Sequence, residues 1–425
     1  MAYSAMRKPK GFISLLAVVS IAVTSYSTYS FAQQPAPPPE AGQKADTKPQ
    51  HTPDRIQIGY LKREIKKPLP ISRLDYPSKD NGIAGANLGI QDNNTTGRFL
   101  KQEFTLAVEQ VPDNGDIVAA AAKLVDAGNT FILVDAPAAD LLAVADALKG
   151  KDALVFNISA TDVDLRQENC RANVMHMAPS RDMLADALAQ YLVWKKWNRW
   201  FLIEGALTPD KAMGEALRRA AKRFGAKIVE EREYKEAAGA SRTDTGHELI
   251  QAQMPVFTQN ARDHDVLVVA DESDVFGAYL PYRTWDARPV AGTAGLVPSS
   301  WHGAHEQWGA TQFQNRFDRI ANSRKIRPVD FHAWLALRVI GEAAQRERTA
   351  DFAKLRDYIR GPKLSVAAFK GQALTFRPWN NQMRQPIVVG SFHLPVTWSP
   401  QPGFLHQVTA LDTLGVDQPE TKCKF

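Results

Sequence analysis

The sequence predicts an α/β fold of two lobes, each a mostly parallel sheet flanked by helices. Three observations carry this: short β-branched apolar runs alternate with amphipathic helical stretches, the alternation occurs as two separate series, and the turns between elements are short. At 425 residues and 44% hydrophobic content, the chain is long enough to build a core in each lobe.

The N-terminus precedes this pattern. Arg7, Lys8 and Lys10 stand before an uncharged run from Gly11 to Val23, and Ser30-Phe31-Ala32 offers small residues where a signal peptidase reads. Residues 1–32 are therefore expected to be a cleavable signal peptide that exports the chain. Residues 33–54, rich in Pro, Ala, Gln and Lys, lack the apolar surface to order themselves and are expected to be a flexible linker. Removing the leader takes three of the 52 basic residues and leaves 49 against 46 acidic ones, a net charge of +3. That charge argues for no nucleic-acid partner. No later segment has the eighteen apolar residues of a membrane span, so the chain is not expected to be membrane-embedded. Export favours disulfides, and the only possible pair is Cys170 with Cys423; two separately buried thiols are the alternative.

The first series opens with a strand at Ile56–Leu61, followed by a basic loop from Lys62 to Asp80. A helical pattern through Leu88 and Ile90 is expected to stop at Asn93-Asn94-Thr95-Thr96-Gly97, giving way to a strand at Phe104–Val108. Asp116 is placed to cap a helix carrying Ile117, Val118, Ala121, Leu124 and Val125 on one face, ended by Gly128. Strand Phe131–Val134, helix Ala138–Leu148 and strand Ala153–Phe156 complete the series.

The second series runs through helix Arg181–Trp194, strand Trp200–Ile203, helix Asp210–Phe224, strand Lys227–Glu230, a helical segment near His247–Gln253 and strand Val266–Ala270. Helices follow at about Gln307–Ala321, Asp330–Gln345 and Asp351–Arg360. The chain then reads as two strands, Leu374–Phe376 and Pro386–Val389, joined across a polar turn.

Chemistry is sparse. There is no GxxxxGK[ST] loop, GxSxG elbow, HExxH or GxGxxG, so no enzyme class is indicated and no cofactor or metal is expected. His302, His305 and Glu306 fit no standard zinc spacing. The apolar strand Val266–Ala270 runs directly into Asp271-Glu272-Ser273-Asp274, as a buried strand does where it meets a polar crevice, the place where open α/β sheets bind ligands. Ser273 or Asp274 also suits the cap of a helix through Val275, Phe276 and Leu280. Tyr279, Tyr282, Trp285 and Trp301 cluster around the same stretch as candidate cleft walls or core.

With the export signal and two α/β lobes in place, the order of strand, helix, NNTTGRFLKQEFTL and a helix ending in AG resembles the type I periplasmic binding proteins of the branched-chain amino-acid receptor class. The runs VFNISATDVDLR, DHDVLVVADESDVFGAYLPYRTW, FKGQALTFRPWNNQMRQP and GFLHQVTALDTLGVDQPETKC resemble a subfamily of ABC transporter substrate-binding proteins associated with PQQ-dependent alcohol dehydrogenase systems. The resemblance implies three crossovers between lobes, placed near Val174, Gly295 and Trp379. Residues 55–174 and 296–379 would form lobe 1, and 175–295 and 380–425 lobe 2. It also implies a monomer that binds one small-molecule ligand in the inter-lobe cleft. Its partners would be ABC transporter permease subunits and, in a second reading as an accessory protein, a PQQ-dependent dehydrogenase.

The candidate ligand-binding residues are Tyr60, Asp135, Ala136, Ser159, Thr161, Asp271, Glu272, Thr293 and Trp301, with no catalytic residue. Thr161 matches the class threonine. Asp135-Ala136-Pro137 stands where the class has small hydroxyl residues, and Gly292-Thr293-Ala294-Gly295 lacks the class glutamate that binds an ammonium. A ligand carboxylate would meet a negative charge at Asp135, so a standard amino acid is not expected to bind. An uncharged or cationic molecule is, with Asp271 and Glu272 supplying any charge recognition.

Overall fold

A computed structural model describes residues 53–66, 76, 78–235 and 250–425. The expected signal peptide, nearly all of the expected linker and much of the basic Lys62–Asp80 loop lie outside the described residues. Strands β1 (Asp54–Arg63), β2 (Gln102–Val111), β3 (Phe131–Asp135), β4 (Leu154–Asn157) and β5 (Val174–His176) form a parallel sheet in the order β2-β1-β3-β4-β5. Consecutive residues of a strand point to opposite faces. Phe131 and Leu133 accordingly pack under helices α1 (Ile83–Leu100), α8 (Ala310–Ile320), α9 (Pro328–Glu347) and α10 (Phe352–Arg360). Ile132 and Val134 pack against α2 (Ile117–Asp126) and α3 (Ala138–Ala147) on the other face.

The second sheet has β6 (Arg199–Gly205), β7 (Lys227–Tyr234), β8 (Val266–Ala270) and β9 (Val290–Gly292) in the parallel order β7-β6-β8-β9. Trp200, Leu202, Val266 and Val268 face α4 (Arg181–Trp194) and α5 (Thr208–Phe224). Phe201, Ile203, Leu267 and Val269 face α6 (Ile250–Thr258). Each sheet is thus buried on both faces, which is why its strands read as continuous apolar runs.

Three local expectations change. Helix α1 does not stop at Asn93 but continues to Leu100. Its polar stretch has partners that hold it in place: Asn93 donates to the Leu337 carbonyl (2.8 Å), and Asn94 bonds both the N–H and the carbonyl of Phe104 (2.8 and 2.9 Å). The close approach of α1 to α9 depends on Gly85, where a Cβ would stand 2.0 Å from the Asp330 carbonyl oxygen. The cap after β8 is neither Ser273 nor Asp274 but Asp271, described below.

The expected terminal hairpin also divides. Strand β12 (Ala373–Phe376) pairs with β11 (Val366–Ala367) and β13 (Met383–Arg384), whereas β14 (Ile387–Gly390) joins β10 (Val297–Ser299) and β15 (Pro395–Ser399). Pro386, which has no N–H to contribute to a ladder, separates the two pairings.

The chain passes between lobes where β5 gives way to α4, where β10 gives way to Trp301 in the first core, and where β13 gives way to β14. One buried side chain ties these passages together. Lys370 donates to the carbonyls of Ser300 and Pro386 and to Gln385 Oε1, whose amide in turn donates to the Met177 carbonyl at 2.8 Å. Burial pushes the Lys370 pKa well down, and its nitrogen lies 4.8 Å from the centre of the Phe331 ring.

Candidate functional site

The carboxyl ends of the parallel strands carry the expected residues. Tyr60 is fully buried on β1, and its hydroxyl donates to Asp135 Oδ2 at 3.2 Å, at the end of β3. Burial, with the neighbouring Asp135 carboxylate, raises the Tyr60 pKa well above its ordinary value, so the phenol stays protonated and remains a donor. Gly82 makes room for it. At φ +84° a side chain there would be strained, and its Cβ would stand 2.0 Å from the Tyr60 hydroxyl.

The next strand end is shaped by Asn157. Its Oδ1 accepts from the N–H groups of Ser159 and Ala160 (3.3 and 2.9 Å), and its amide donates to the Ala160 carbonyl (2.8 Å). The turn presents Ser159, whose hydroxyl donates to the Ala136 carbonyl at 3.3 Å. Tyr60, Asp135, Ala136 and Ser159 therefore form one connected wall, with half-buried Thr161 following.

Between the lobes lies an ion cluster that was not expected. Arg181, the first residue of α4, donates to both carboxylate oxygens of Glu272 (2.8–3.0 Å) and to Asp162 Oδ1 (2.9 Å). Its backbone N–H donates to the Thr161 carbonyl. Asp162 belongs to the first lobe and Glu272 to the second, so a single guanidinium holds a carboxylate from each side. Burial by itself would lower the Arg181 pKa, but Glu272 and Asp162 raise it overall. One sequence signal was available: a cation in the first turn of a helix opposes the helix dipole and calls for an anionic partner.

Asp271 faces inward. It is 5% exposed, and its carboxylate accepts from the N–H groups of Val275, Phe276 and Gly277 (3.0, 2.8 and 2.6 Å), so it closes its own loop. Thr293 supports it by accepting the Asp271 N–H at 2.9 Å. Burial raises the Asp271 pKa against these three donors.

Trp301 lies in the first-lobe core, stacked on Phe331 with ring centroids 4.7 Å apart. Tyr282 and Trp285 are exposed to solvent. His302 and His305 each turn to a backbone carbonyl, of Ser391 and Phe369. Two surface depressions of about 490 and 670 Å³ lie along β7 and share no residue with the Tyr60–Ser159 wall.

A sequence model of the periplasmic binding protein family matches residues 77–392. The chain belongs to the periplasmic binding protein family. Solved structures share its fold at low identity. A branched-chain amino-acid ABC transporter periplasmic ligand-binding protein from Burkholderia xenovorans LB400 is 16% identical, with a TM-score of 0.62 over 81% of this chain and 95% of that one. A leucine-, isoleucine-, valine-, threonine- and alanine-binding protein from Brucella ovis, in a closed conformation, is 15% identical, with a TM-score of 0.60 over 82% and 92%. An R. palustris ABC transporter solute-binding protein in complex with benzoate is 9% identical, with a TM-score of 0.59 over 88% and 100%. No curated protein sequence matches the chain. In this periplasmic binding protein, the Tyr60–Ser159 wall and the Arg181 cluster occupy the strand ends that open α/β folds use for ligands.

Proposed function

We propose that the chain is the periplasmic solute-binding component of an ABC transporter. It takes one small organic ligand without a carboxylate into the inter-lobe cleft and delivers it to membrane permease subunits without chemical turnover. The observation that carries the ligand class is the place of Asp135: it ends β3, accepts from the Tyr60 hydroxyl, and sets a carboxylate in the first-lobe wall beside the turn that carries Ser159 and Thr161. Asp271 caps its own loop and Glu272 pairs with Arg181. The ligand contacts in this reading are therefore Asp135, Ser159 and Thr161, narrower than the set expected from the sequence. Hydroxyl and amine groups suit such a wall, whereas a carboxylate entering it meets like charge in a poorly solvated site.

The link to PQQ-dependent alcohol oxidation rests on the sequence runs quoted above. It makes an alcohol, or a molecule made or consumed in its oxidation, the first ligand class to examine.

Titration calorimetry tests the ligand class. Leucine and benzoate are expected to bind the native protein more weakly than roughly 1 mM, the range of about −4 kcal/mol. Asp135→Ser is expected to tighten both by tenfold or more. Micromolar binding of leucine to the native protein would overturn the reading.

A further inference from the structure

The tail beyond β15 is held at both ends, on different lobes. On the second lobe, Leu414 packs with Met183, Ala187 and Ile387. The Gly415 N–H donates to Asp186 (2.7 Å), and its carbonyl accepts from Arg219 and Arg223 (3.1 and 2.6 Å). Glu420 then pairs with Arg223 and Arg219 at 3.3 and 3.6 Å, both on α5.

Two residues later the contacts belong to the first lobe. The Lys422 N–H donates to Gln167 Oε1 (2.6 Å), its ammonium pairs with Glu168 (2.7 Å), and Cys423 is disulfide-bonded to Cys170 with Cα atoms 5.6 Å apart. Gln167, Glu168 and Cys170 lie between β4 and β5 of the first sheet, and Leu165 and Val174 on either side belong to that lobe's core.

We propose that this tail is a strap, closed by the Cys170–Cys423 disulfide, that limits how far the two lobes open. Only Thr421 separates the Glu420 contact with α5 from the Lys422 and Cys423 contacts with the first lobe. From Glu420 to Cys423 the chain can extend at most about 10 Å, at roughly 3.5 Å per residue. A lobe rotation that carries α5 away from Cys170 must therefore strip Glu420 from Arg219 and Arg223, and a larger one must pull Gly415 from Asp186. The three passages are continuous chain, and the disulfide adds a covalent fourth connection between the lobes. Hinged proteins open by rotation about a few such residues, so a short fourth tie restricts the amplitude of opening while leaving the closed geometry intact.

The test uses the full exported chain without ligand, comparing native protein with the Cys170→Ser/Cys423→Ser double variant by small-angle scattering and amide hydrogen exchange. The variant is expected to show a larger radius of gyration and roughly tenfold faster exchange at the passages around Met177 and Ile387, with the strand centres at Ile58 and Leu202 unchanged. Identical scattering and exchange would overturn the strap, as would faster exchange spread evenly over the chain. Should the double variant fail to fold, a phosphine reductant applied to folded native protein gives the same readouts. The disulfide takes two electrons from the phosphine, which becomes its oxide with the oxygen of one water, and the two protons of that water complete the two thiols. Unfolding on that treatment would show that the bond holds the fold rather than strapping the hinge, and would overturn the proposal too.

Discussion

Asp412→Asn is expected to lower folding stability by about 3–5 kcal/mol, the range for removing one partner of a buried ion pair. Asp412 and Arg377 are each 1% exposed at the side chain, and Arg384 is 11% exposed. Arg377 and Arg384 both donate to the Asp412 carboxylate at 2.8–3.0 Å, and Arg377 also holds the Leu411 and Leu414 carbonyls. The asparagine keeps the shape and removes the charge, leaving two guanidinium groups with little solvent and without the carboxylate they share. Because Arg377 and Arg384 flank the passage between lobes and Asp412 sits in the tail, the loss also loosens the tail's hold on that passage. Urea unfolding measures it. Glu103→Gln, which breaks an exposed pair with Arg55, is the control, with an expected change under about 1 kcal/mol. Equal effects from the two substitutions would contradict the account of the cluster.

The second large effect is a loss of stability in mild acid through His332. Its Nδ1 contacts the Ile158 carbonyl at 2.8 Å, so that nitrogen carries the proton of the neutral ring. Burial, joined by the nearby charges of Lys370 and Arg166, lowers its pKa to about 3, against the ordinary 6.5. The folded value lies below the unfolded one, so the unfolded chain binds the proton more readily. Stability is therefore intact above about pH 6.5 and falls as the pH drops toward 3. The expected loss is about 2 kcal/mol by pH 5. Asp186 works in the opposite direction: burial raises its pKa to about 6 against Arg219 and Arg223, so its contribution to stability declines as pH rises through 6. The difference between native protein and His332→Gln, followed by thermal melting from pH 7 to pH 4, isolates the histidine. A variant whose pH slope matches the native slope would contradict this role.

Much of the architecture was legible because strands buried on both faces read as bare apolar runs, and helices with one wet face keep their period. Helix α4 begins and ends where its pattern does, and Asp116 caps α2 through Val118 and Ala119 as its position suggested. What was not legible depended on long-range partners. Asn93 and Asn94 look like a helix stop until Leu337 and Phe104 accept their hydrogen bonds. Asp271, Glu272 and Asp274 look alike as a string of carboxylates; only the folded loop gives Asp271 three backbone donors and Glu272 an arginine from 91 residues away. Trp301 has the composition of a cleft wall, but Phe331 draws it into the first core. Local pattern encodes which elements form, whereas the solvation of a charge depends on what tertiary packing brings beside it.

The most direct test of the central claim is native mass spectrometry of the exported protein purified without denaturation. One small organic molecule without a carboxylate is expected bound per chain, and is expected to be lost in Ser159→Ala combined with Asp135→Ala. A leucine, a valine or an aromatic acid found on the native protein, and retained by that double variant, would contradict it.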